Sequence, residues 1–421
     1  MIEQIMRHLD ENNLLSQSQF GFRKAHSTED ALMKLMNSLE GNDKYINAAI
    51  FADLSKAFDT VPHGRLLSKL EHFFGMKSSS LRLIESYLSN RYQQVHVKST
   101  RSSSKKVTIG VPQGSCLGPL LFIMYINDLC LVGGGEVESI LYADDSAFIV
   151  KDISIDKLQD KLNLAMDNIS DWFESNFLTL NATKTNFMCK KQLTLKIGEQ
   201  NITQIGYDAS IKYLGVEMDQ GLTFKYHIQR LIARLKYTSY AIIGAKHMLT
   251  EKAGLLLYNA LFNSQLSYAI NIYGNKLNLS QKKQITILQK KIVRTICKEP
   301  YLAHTESLFK SRNILKFEDM IKAAGIIFVK RALNSEIPLS LTSNISKVRS
   351  VTRASSNGQI MISPALKIDG ITNKLIQYFN NCKICLDGKT KSAKIKLKKS
   401  FLDSYTKSCS LLNCFSCNSK L

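Results

Sequence analysis

The chain has 421 residues, 44% of them hydrophobic, which is enough for two or three globular domains. Lysine and arginine number 56 against 35 acidic residues, and the net charge of +21 favours a polyanionic partner such as nucleic acid. No run of about 20 apolar residues could cross a bilayer, and the first residues do not resemble a signal peptide. We therefore expect an intracellular protein of the nucleus or cytoplasm, neither secreted nor bound to a membrane.

Hydrophobic periodicity predicts the elements in chain order. Apolar residues spaced by three or four positions predict helices, and alternating or continuous apolar runs predict strands. The predicted helices are residues 1–17, one that begins at Pro62, 117–131, 158–173 and much of 222–330. Residues 47–52, directly before Asp53, are predicted to form one strand. Residues 92–97 and 107–109 are predicted to form two strands of a hairpin.

Two adjacent carboxylates, Asp144 and Asp145, lie in the apolar run 140–150. In a regular strand they would point to opposite faces, and one would be buried without a partner. A tight hairpin turn solves this because both side chains can then lie at its crown, where a hard cation such as Mg²⁺ would offset their charge. The alternative is an ordinary surface turn, since turns use aspartate freely.

A third carboxylate, Asp53, follows the predicted buried strand 47–52. An acid at the end of a central strand, opposite a two-aspartate hairpin, is the arrangement that a two-metal phosphoryl-transfer site requires. Such sites hold two ions ~4 Å apart, one at the attacking oxygen and one at the leaving oxygen. The three acids therefore indicate phosphoryl-transfer chemistry.

Several further segments accompany these acids, and the order of the whole set is more informative than any one of them. The segments are residues 19–28, 53–61, 89–95, 110–122, 142–145, 180–185 and 212–215. In this order they resemble the motifs of reverse transcriptases from non-LTR retrotransposons of the jockey-like or RTE-like kind. The resemblance continues more loosely after residue 288 and fades near residue 340.

The resemblance implies an α+β fold, the right-hand polymerase fold. It implies partial fingers over residues 1–46, a reverse transcriptase palm over 47–220, a helical thumb-like region over 221–340 and a basic extension over 341–421. The fold of that cysteine-containing extension is left open, as is the oligomeric state. The implied function is an RNA-directed DNA polymerase that uses two Mg²⁺ ions, an RNA template, a DNA primer and deoxynucleoside triphosphates.

The resemblance also assigns roles to individual residues. Asp53, Asp144 and Asp145 are the implied catalytic residues, and these three together with Leu54 are the implied metal ligands. Phe58 corresponds to the aromatic residue that excludes a ribose 2′-hydroxyl, with ordinary core packing as the alternative.

Other implied contacts are made to the template, the nucleotide and the primer. Gln113 and Gly114 resemble residues that pack beneath the nascent base pair. Lys184 resembles a lysine near the pyrophosphate, or is a solvated lysine at a strand end. Arg23 would contact the template backbone or cap its helix. The implied primer grip contains Tyr213, Leu214 and Gly215.

Two departures from the family pattern predict a limited activity. The chain begins after the position of the family's finger hairpin, whose cations close on the triphosphate, and after the endonuclease that full-length elements usually carry. We therefore expect an amino-truncated product that binds primer–template far better than it extends it. A catalytically silent nucleic-acid-binding relic is the alternative function. An RNA-templated RNA polymerase is a third, but Phe58 and the Tyr142-Ala143 sequence fit reverse transcriptases better.

Paired cysteines near the carboxyl terminus raise a zinc alternative. Cys382 and Cys385 have CxxC spacing, as do Cys414 and Cys417, with Cys409 nearby. A lysine-rich run lies between the pairs, and no glycine-bearing knuckle turn flanks them. The prediction therefore contains no zinc site.

Overall fold

The computed structural model describes residues 1–40, 44–342, 345–347, 360–362, 371–382, 384, 386 and 388–405. Within the chain two compact units are distinguished, Met1–Leu214 (unit 1) and Gly215–Leu421 (unit 2). Of the cysteines considered for zinc, Cys382 is a free thiol, and the other four lie outside the described residues. The predicted division at residues 46, 220 and 340 stays a prediction.

Unit 1 has mixed α and β content. Its helices are α1 (Ile2–Glu11), α2 (Thr28–Leu39), α3 (His63–His72), α4 (Ser78–Leu88), α5 (Gly118–Tyr125) and α6 (Ile155–Ser175), with 3₁₀ turns at Ala57–Asp59 and Asn127–Leu131. Its strands are β1 (Ile46–Ala52), β2 (Arg91–Gln93), β3 (His96–Val97), β4 (Thr100–Arg101), β5 (Lys105–Val107), β6 (Val137–Tyr142), β7 (Asp145–Asp152), β8 (Asn186–Cys189), β9 (Lys196–Ile197), β10 (Gln200–Asn201), β11 (Thr203–Ile205) and β12 (Ile211–Tyr213).

A five-stranded sheet in the order β11-β8-β1-β7-β6 forms the centre of unit 1. The pairs β8–β1, β1–β7 and β7–β6 are antiparallel, and β11 lies parallel to β8. Strand β1 contacts both α2 and α6, and its residues 48–52 are buried. A strand that is covered on both faces has a continuous run of apolar residues, and this run was the basis for predicting a buried strand at residues 47–52.

Local sequence explains the boundaries of the unit 1 helices. The predicted first helix was too long, because α1 ends at Glu11 and Asn13 adopts φ 51°, a left-handed conformation that asparagine tolerates. Pro62 precedes α3 as expected. The predicted helix 117–131 is divided into α5 and a 3₁₀ turn. The predicted hairpin is confirmed in its pairing, since β2 pairs with β5, but the predicted strands 92–97 and 107–109 were wrong in their bounds. The first is divided into β2 and β3, and the second ends at Val107.

Unit 2 is predominantly helical, as predicted for residues 222–330. Its helices are α7 (Lys225–Gly244), α8 (Glu251–Leu257), α9 (Ser264–Ser267), α10 (Ile270–Tyr273), α11 (Leu279–Ile296), α12 (Glu306–Ser311), α13 (Phe317–Leu333), α14 (Leu339–Thr342), α15 (Ile371–Asn380) and α16 (Thr390–Asp403), with a π-helical turn at Tyr258–Asn263. The strands are β13 (Val216–Met218), β14 (Ile345–Lys347) and β15 (Ile360–Ile362).

A buried glutamine ties the helices of unit 2 together. Gln289 in α11 donates to the Tyr258 hydroxyl at 2.9 Å and to the Leu315 carbonyl at 2.9 Å, and it accepts from the Phe317 backbone N–H at 3.1 Å. All polar atoms of this fully buried side chain are thus satisfied, which holds α11 against the start of α13. Throughout the described ranges, every helix is too short or too polar to traverse a lipid bilayer.

Candidate active site

Asp53 follows β1 directly, where the central strand of unit 1 ends. In the antiparallel register Ala52 pairs with Ser146, so the next position along β1 faces Asp145. The Asp53 backbone N–H lies 3.4 Å from the Thr185 hydroxyl, and its carbonyl accepts from the Asn181 N–H at 2.9 Å. These two contacts hold the backbone of Asp53 against the loop that contains Asn181 and Thr185.

The two-aspartate hairpin turn predicted from the sequence is confirmed. Tyr142 pairs with Asp145, so β6 and β7 are joined by Ala143 and Asp144 alone. Ala143 has φ 55°, the left-handed conformation that two-residue hairpin turns require. Asp144 and Asp145 are both exposed at this turn. The register therefore brings the turn to the end of β1, where Asp53 lies.

The turn is held from the other side by residues 18–21, a contact that the sequence did not reveal. Gln19 is fully buried, and its Oε1 accepts from the Gly21 N–H at 2.7 Å and from the Ala143 N–H at 3.3 Å. The Phe20 N–H donates to the Leu141 carbonyl at 2.7 Å. Gln19 is therefore a positioning residue for the acidic turn.

The three carboxylates interact electrostatically. Partial desolvation, followed by the negative charges of Asp144 and Asp53, raises the pKa of Asp145 to about 6. The Lys184 ammonium lies 3.6 Å from Oδ2 of Asp53, and this buried oxygen has no hydrogen-bond partner among the described residues. A crowded set of carboxylates with an unsatisfied oxygen is a donor set that suits a hard divalent cation.

Among the described residues, the side chains alone do not form a complete metal site. Within the described ranges, no three His, Cys, Asp or Glu side chains are spaced to hold an ion by themselves. Mg²⁺ is commonly bound by one or two carboxylates together with water and substrate phosphates. The carboxylates of Asp53, Asp144 and Asp145 are of the ligand type that would supply part of such a coordination.

A cavity of about 410 Å³ opens beside Asp144. Its lining contains several residues predicted to bind the nucleotide, and the complete set is Leu54, Lys56, Ala57, Phe58, Pro112, Gln113, Gly114, Pro119 and Asp144. Gln113 donates to the Asp59 carboxylate at 2.8 Å, which fixes its amide. Gly114 has φ +79°, and no atom lies within 4 Å of the position a Cβ would take. Gly114 thus leaves room for close approach of a ligand to the backbone.

Phe58 lies between the core and the cavity. Its ring stacks on that of Phe122, with centroids 4.3 Å apart and planes at 24°. Phe122 is fully buried, whereas Phe58 is half-buried and lines the cavity. One face of Phe58 is therefore core packing, and the remainder forms a wall of the cavity.

Two other predicted residues, Arg23 and Tyr213, do not line the cavity. Arg23 donates to the backbone carbonyls of Ser16 and Gln19, so it caps a loop and not a helix. Tyr213 is buried, its ring lies 5.4 Å from that of Phe51, and its hydroxyl donates to the Ile140 carbonyl at 3.3 Å. Desolvation and the nearby Asp145 charge raise the pKa of Tyr213.

The rest of the predicted primer grip follows Tyr213 directly in the sequence. Leu214 ends unit 1 and Gly215 begins unit 2, and both adopt positive φ, at 45° and 78°. Consecutive residues with positive φ form a tight turn. A grip on the primer by Tyr213, Leu214 or Gly215 stays a prediction.

The chain belongs to the reverse transcriptase family, because the family described as "Reverse transcriptase (RNA-dependent DNA polymerase)" matches residues 1–218. It is 30% identical over 335 residues to the RNA-directed DNA polymerase from mobile element jockey of Drosophila funebris, covering 76% of this chain and 36% of that protein. The probable RNA-directed DNA polymerase from transposon BS of Drosophila melanogaster is 28% identical over 329 residues, with coverages of 74% and 36%. These similarities confirm the resemblance to reverse transcriptases of non-LTR retrotransposons.

The chain spans little more than a third of the length of the curated relatives it matches. Among solved structures, telomerase from Candida tropicalis in complex with the TWJ fragment of telomeric RNA is 11% identical, with a TM-score of 0.41. That match covers 96% of this chain and 56% of the telomerase chain.

Proposed function

We propose that this chain carries the polymerase site of a retrotransposon reverse transcriptase, which adds deoxynucleotides to the 3′-hydroxyl of a DNA primer on an RNA template. The supporting observation is the meeting of Asp53 and the Asp144–Asp145 turn beside a cavity lined by Phe58, Gln113 and Gly114. In this proposal residues 1–46 are partial fingers, 47–220 the palm and 221–340 a thumb-like region.

The acids and one backbone carbonyl would hold two Mg²⁺ ions. Asp53, Asp144 and Asp145 supply carboxylates, and Leu54, which lines the same cavity, can supply only its backbone oxygen. When bound, such ions neutralise the triphosphate and favour ionisation of the attacking hydroxyl. The protein's own contribution is to hold these oxygens on a rigid hairpin and strand end, so that no reorganisation is needed during the reaction.

Phe58 would select the sugar. Its ring is backed by Phe122, so it cannot move aside without loss of the stacking contact. A 2′-hydroxyl placed against this ring would lose its hydrogen bonds to water and gain none, which disfavours ribonucleotides. Gln113, held by Asp59, and the open backbone at Gly114 would support the nascent base pair.

Lys184 would stabilise the leaving group. Its ammonium is mostly exposed and lies 3.6 Å from the Asp53 carboxylate. A protonated amine at this distance from the acids can donate a hydrogen bond or a proton to the departing pyrophosphate. The opposing possibility, a solvated lysine that only screens Asp53, predicts little change in rate when Lys184 is replaced.

Primer extension tests the proposal. We expect Mg²⁺-dependent addition of deoxynucleotides to a DNA primer on an RNA template, reduced at least ~10²-fold by Asp144→Asn. The matched control is Asp208→Asn, since Asp208 is an exposed aspartate of the same unit outside the cavity.

The second candidate function, nucleic-acid binding without catalysis, rests on the net charge of +21. Salt-sensitive binding of primer–template with no extension by the parent chain would favour this candidate and reject the polymerase proposal.

A further inference from the structure

A second concave surface lies wholly within unit 2, between residues 239 and 301. It encloses about 710 Å³ and is lined by two tyrosines, Tyr240 in α7 and Tyr301 after α11, each with 71% of its surface exposed. Ligand sites commonly measure ~300–1,000 Å³. We call this surface the tyrosine cleft.

The tyrosine cleft is strongly cationic. It has one carboxylate, that of Glu299, and four basic side chains, those of Lys246, Lys291, Arg294 and Lys298. In the part of the chain that the structure describes, no carboxylate pairs with Lys246, Lys291 or Lys298 within 4.0 Å. These charges are therefore available to an anionic ligand.

The segment that contains Tyr301 is held in place by the hydrogen bonds at the end of α11. Lys298 adopts φ 56°, and the Glu299 N–H donates to the Arg294 carbonyl at 3.0 Å while the Lys298 N–H donates to the Thr295 carbonyl at 3.2 Å. This pair of bonds is a Schellman ending, which turns the chain back along the helix. Nε of Arg294 then donates to the Ala303 carbonyl at 2.7 Å. The returning segment is thus bonded on both sides of Tyr301 before any ligand arrives.

We propose that the tyrosine cleft binds single-stranded nucleic acid, with bases stacked on Tyr240 and Tyr301 and phosphates bound by Lys246, Lys291 and Lys298. Exposed aromatic rings beside a cationic groove are the combination that non-sequence-specific single-strand binding requires, because every base has a face that can stack. A duplex has its bases stacked on one another and would use only the charges. An acidic peptide would likewise pair with the lysines but gain little from the two rings.

Fluorescence anisotropy with the full chain tests this proposal. The probes are labelled oligouridine RNA and oligothymidine DNA of roughly 12 nucleotides, compared with a duplex of the same length. Tyr240→Ala and Tyr301→Ala should each weaken single-strand binding about 5–100-fold. Lys246→Gln should reduce the slope of log K against log salt by about 0.7. The ratio of RNA to DNA affinity identifies which strand the cleft prefers.

Tyr237→Ala is the matched control. Tyr237 lies one turn before Tyr240 on α7, is 78% exposed and does not line the cleft, so its replacement should change affinity by less than about twofold. Because Tyr240 and Tyr301 are exposed, melting temperatures of all three variants should match the parent. The Asp144→Asn variant should bind single strands as the parent does, which separates this test from that of the polymerase proposal.

Three results would overturn the proposal. Single-strand affinities of Tyr240→Ala and Tyr301→Ala within about twofold of the parent would show that the rings do not stack on bases. Equal losses for duplex and single strand, or displacement of the oligonucleotide by polyglutamate with the same dependence on both tyrosines, would assign the cleft to a duplex or to an acidic peptide.

Discussion

Replacing Gly21 with alanine would place a methyl group against the turn that carries Asp144. An ideal Cβ at residue 21 lies 2.5 Å from the Ala143 backbone nitrogen and 3.2 Å from the Tyr142 carbonyl carbon. Carbon contacts are comfortable at about 3.5 Å, so one of the two backbones must move by about 1 Å. A displacement of this size at a catalytic group can cost ~10²-fold in rate. Overpacking costs only about 1–3 kcal/mol, which a folded domain tolerates.

Single-turnover primer extension and thermal melting measure the two effects separately. We expect Gly21→Ala to lower the extension rate about 10²-fold with primer–template affinity unchanged and a modest loss of melting temperature. Gly64→Ala is the control, since no atom lies within 4 Å of its Cβ position in α3 and the change should stabilise the helix by about 0.5 kcal/mol. A Gly21→Ala variant that extends primers at the parent rate would refute the argument that residues 18–21 position the acidic turn.

Three further predictions concern Phe58, Asp145 and Lys69. Phe58→Val should admit ribonucleotides while deoxynucleotide use largely persists. The control Phe73→Ala, at an exposed phenylalanine, should not change the discrimination against ribonucleotides. Unchanged discrimination in an active Phe58 variant would show that Phe58 contributes only to core packing. The pKa of Asp145 is raised to about 6 in the folded state, so the folded protein binds this proton more tightly than the unfolded chain does. Proton binding therefore contributes to the free energy of unfolding in full below the unfolded pKa, and this contribution is lost as pH rises through 6. Asp145 is exposed at its turn, so solvent screening reduces this contribution, and Asp145→Asn should raise the melting temperature only slightly at pH 7 relative to the parent. The difference should shrink towards pH 4, and a difference that does not change with pH would contradict this. The Lys69 ammonium is buried and lies 2.7 Å from Asp128, so Lys69→Ala should cost about 3 kcal/mol in denaturant unfolding. The double change with Asp128→Ala should cost less than the sum of the single changes, and additivity would show that the pair does not interact.

Local patterns were sufficient to predict the strand end and the acidic turn. Asp53 and the Asp144–Asp145 pair each interrupt an apolar run, and the antiparallel register of β1 and β7 brings them together. The buried strand and the turn are both decided by residues close in sequence, which is why periodicity and turn chemistry could find them.

The contacts of residues whose partners are far away in the sequence could not be predicted from local patterns. Gln19 bonds to Ala143 across 124 positions, and no local pattern marks a glutamine that will be buried. Tyr213 belongs to a motif expected to hold the primer, yet its ring lies in the core against Phe51. Phe58 could be assigned to the core or to the nucleotide; its ring stacks on Phe122 and also lines the cavity, and its contact with a nucleotide stays a prediction.

The segment before Gly21 also covers part of the outer edge of strand β6. Strand β6 is the last strand on its side, and Leu141 would present an unpaired N–H and carbonyl there. The Ser18 carbonyl accepts from that N–H at 2.8 Å, and the Phe20 N–H donates to that carbonyl at 2.7 Å. An open strand of this kind is a template for intermolecular pairing. Removal of residues 1–20 should therefore produce concentration-dependent self-association, visible by light scattering.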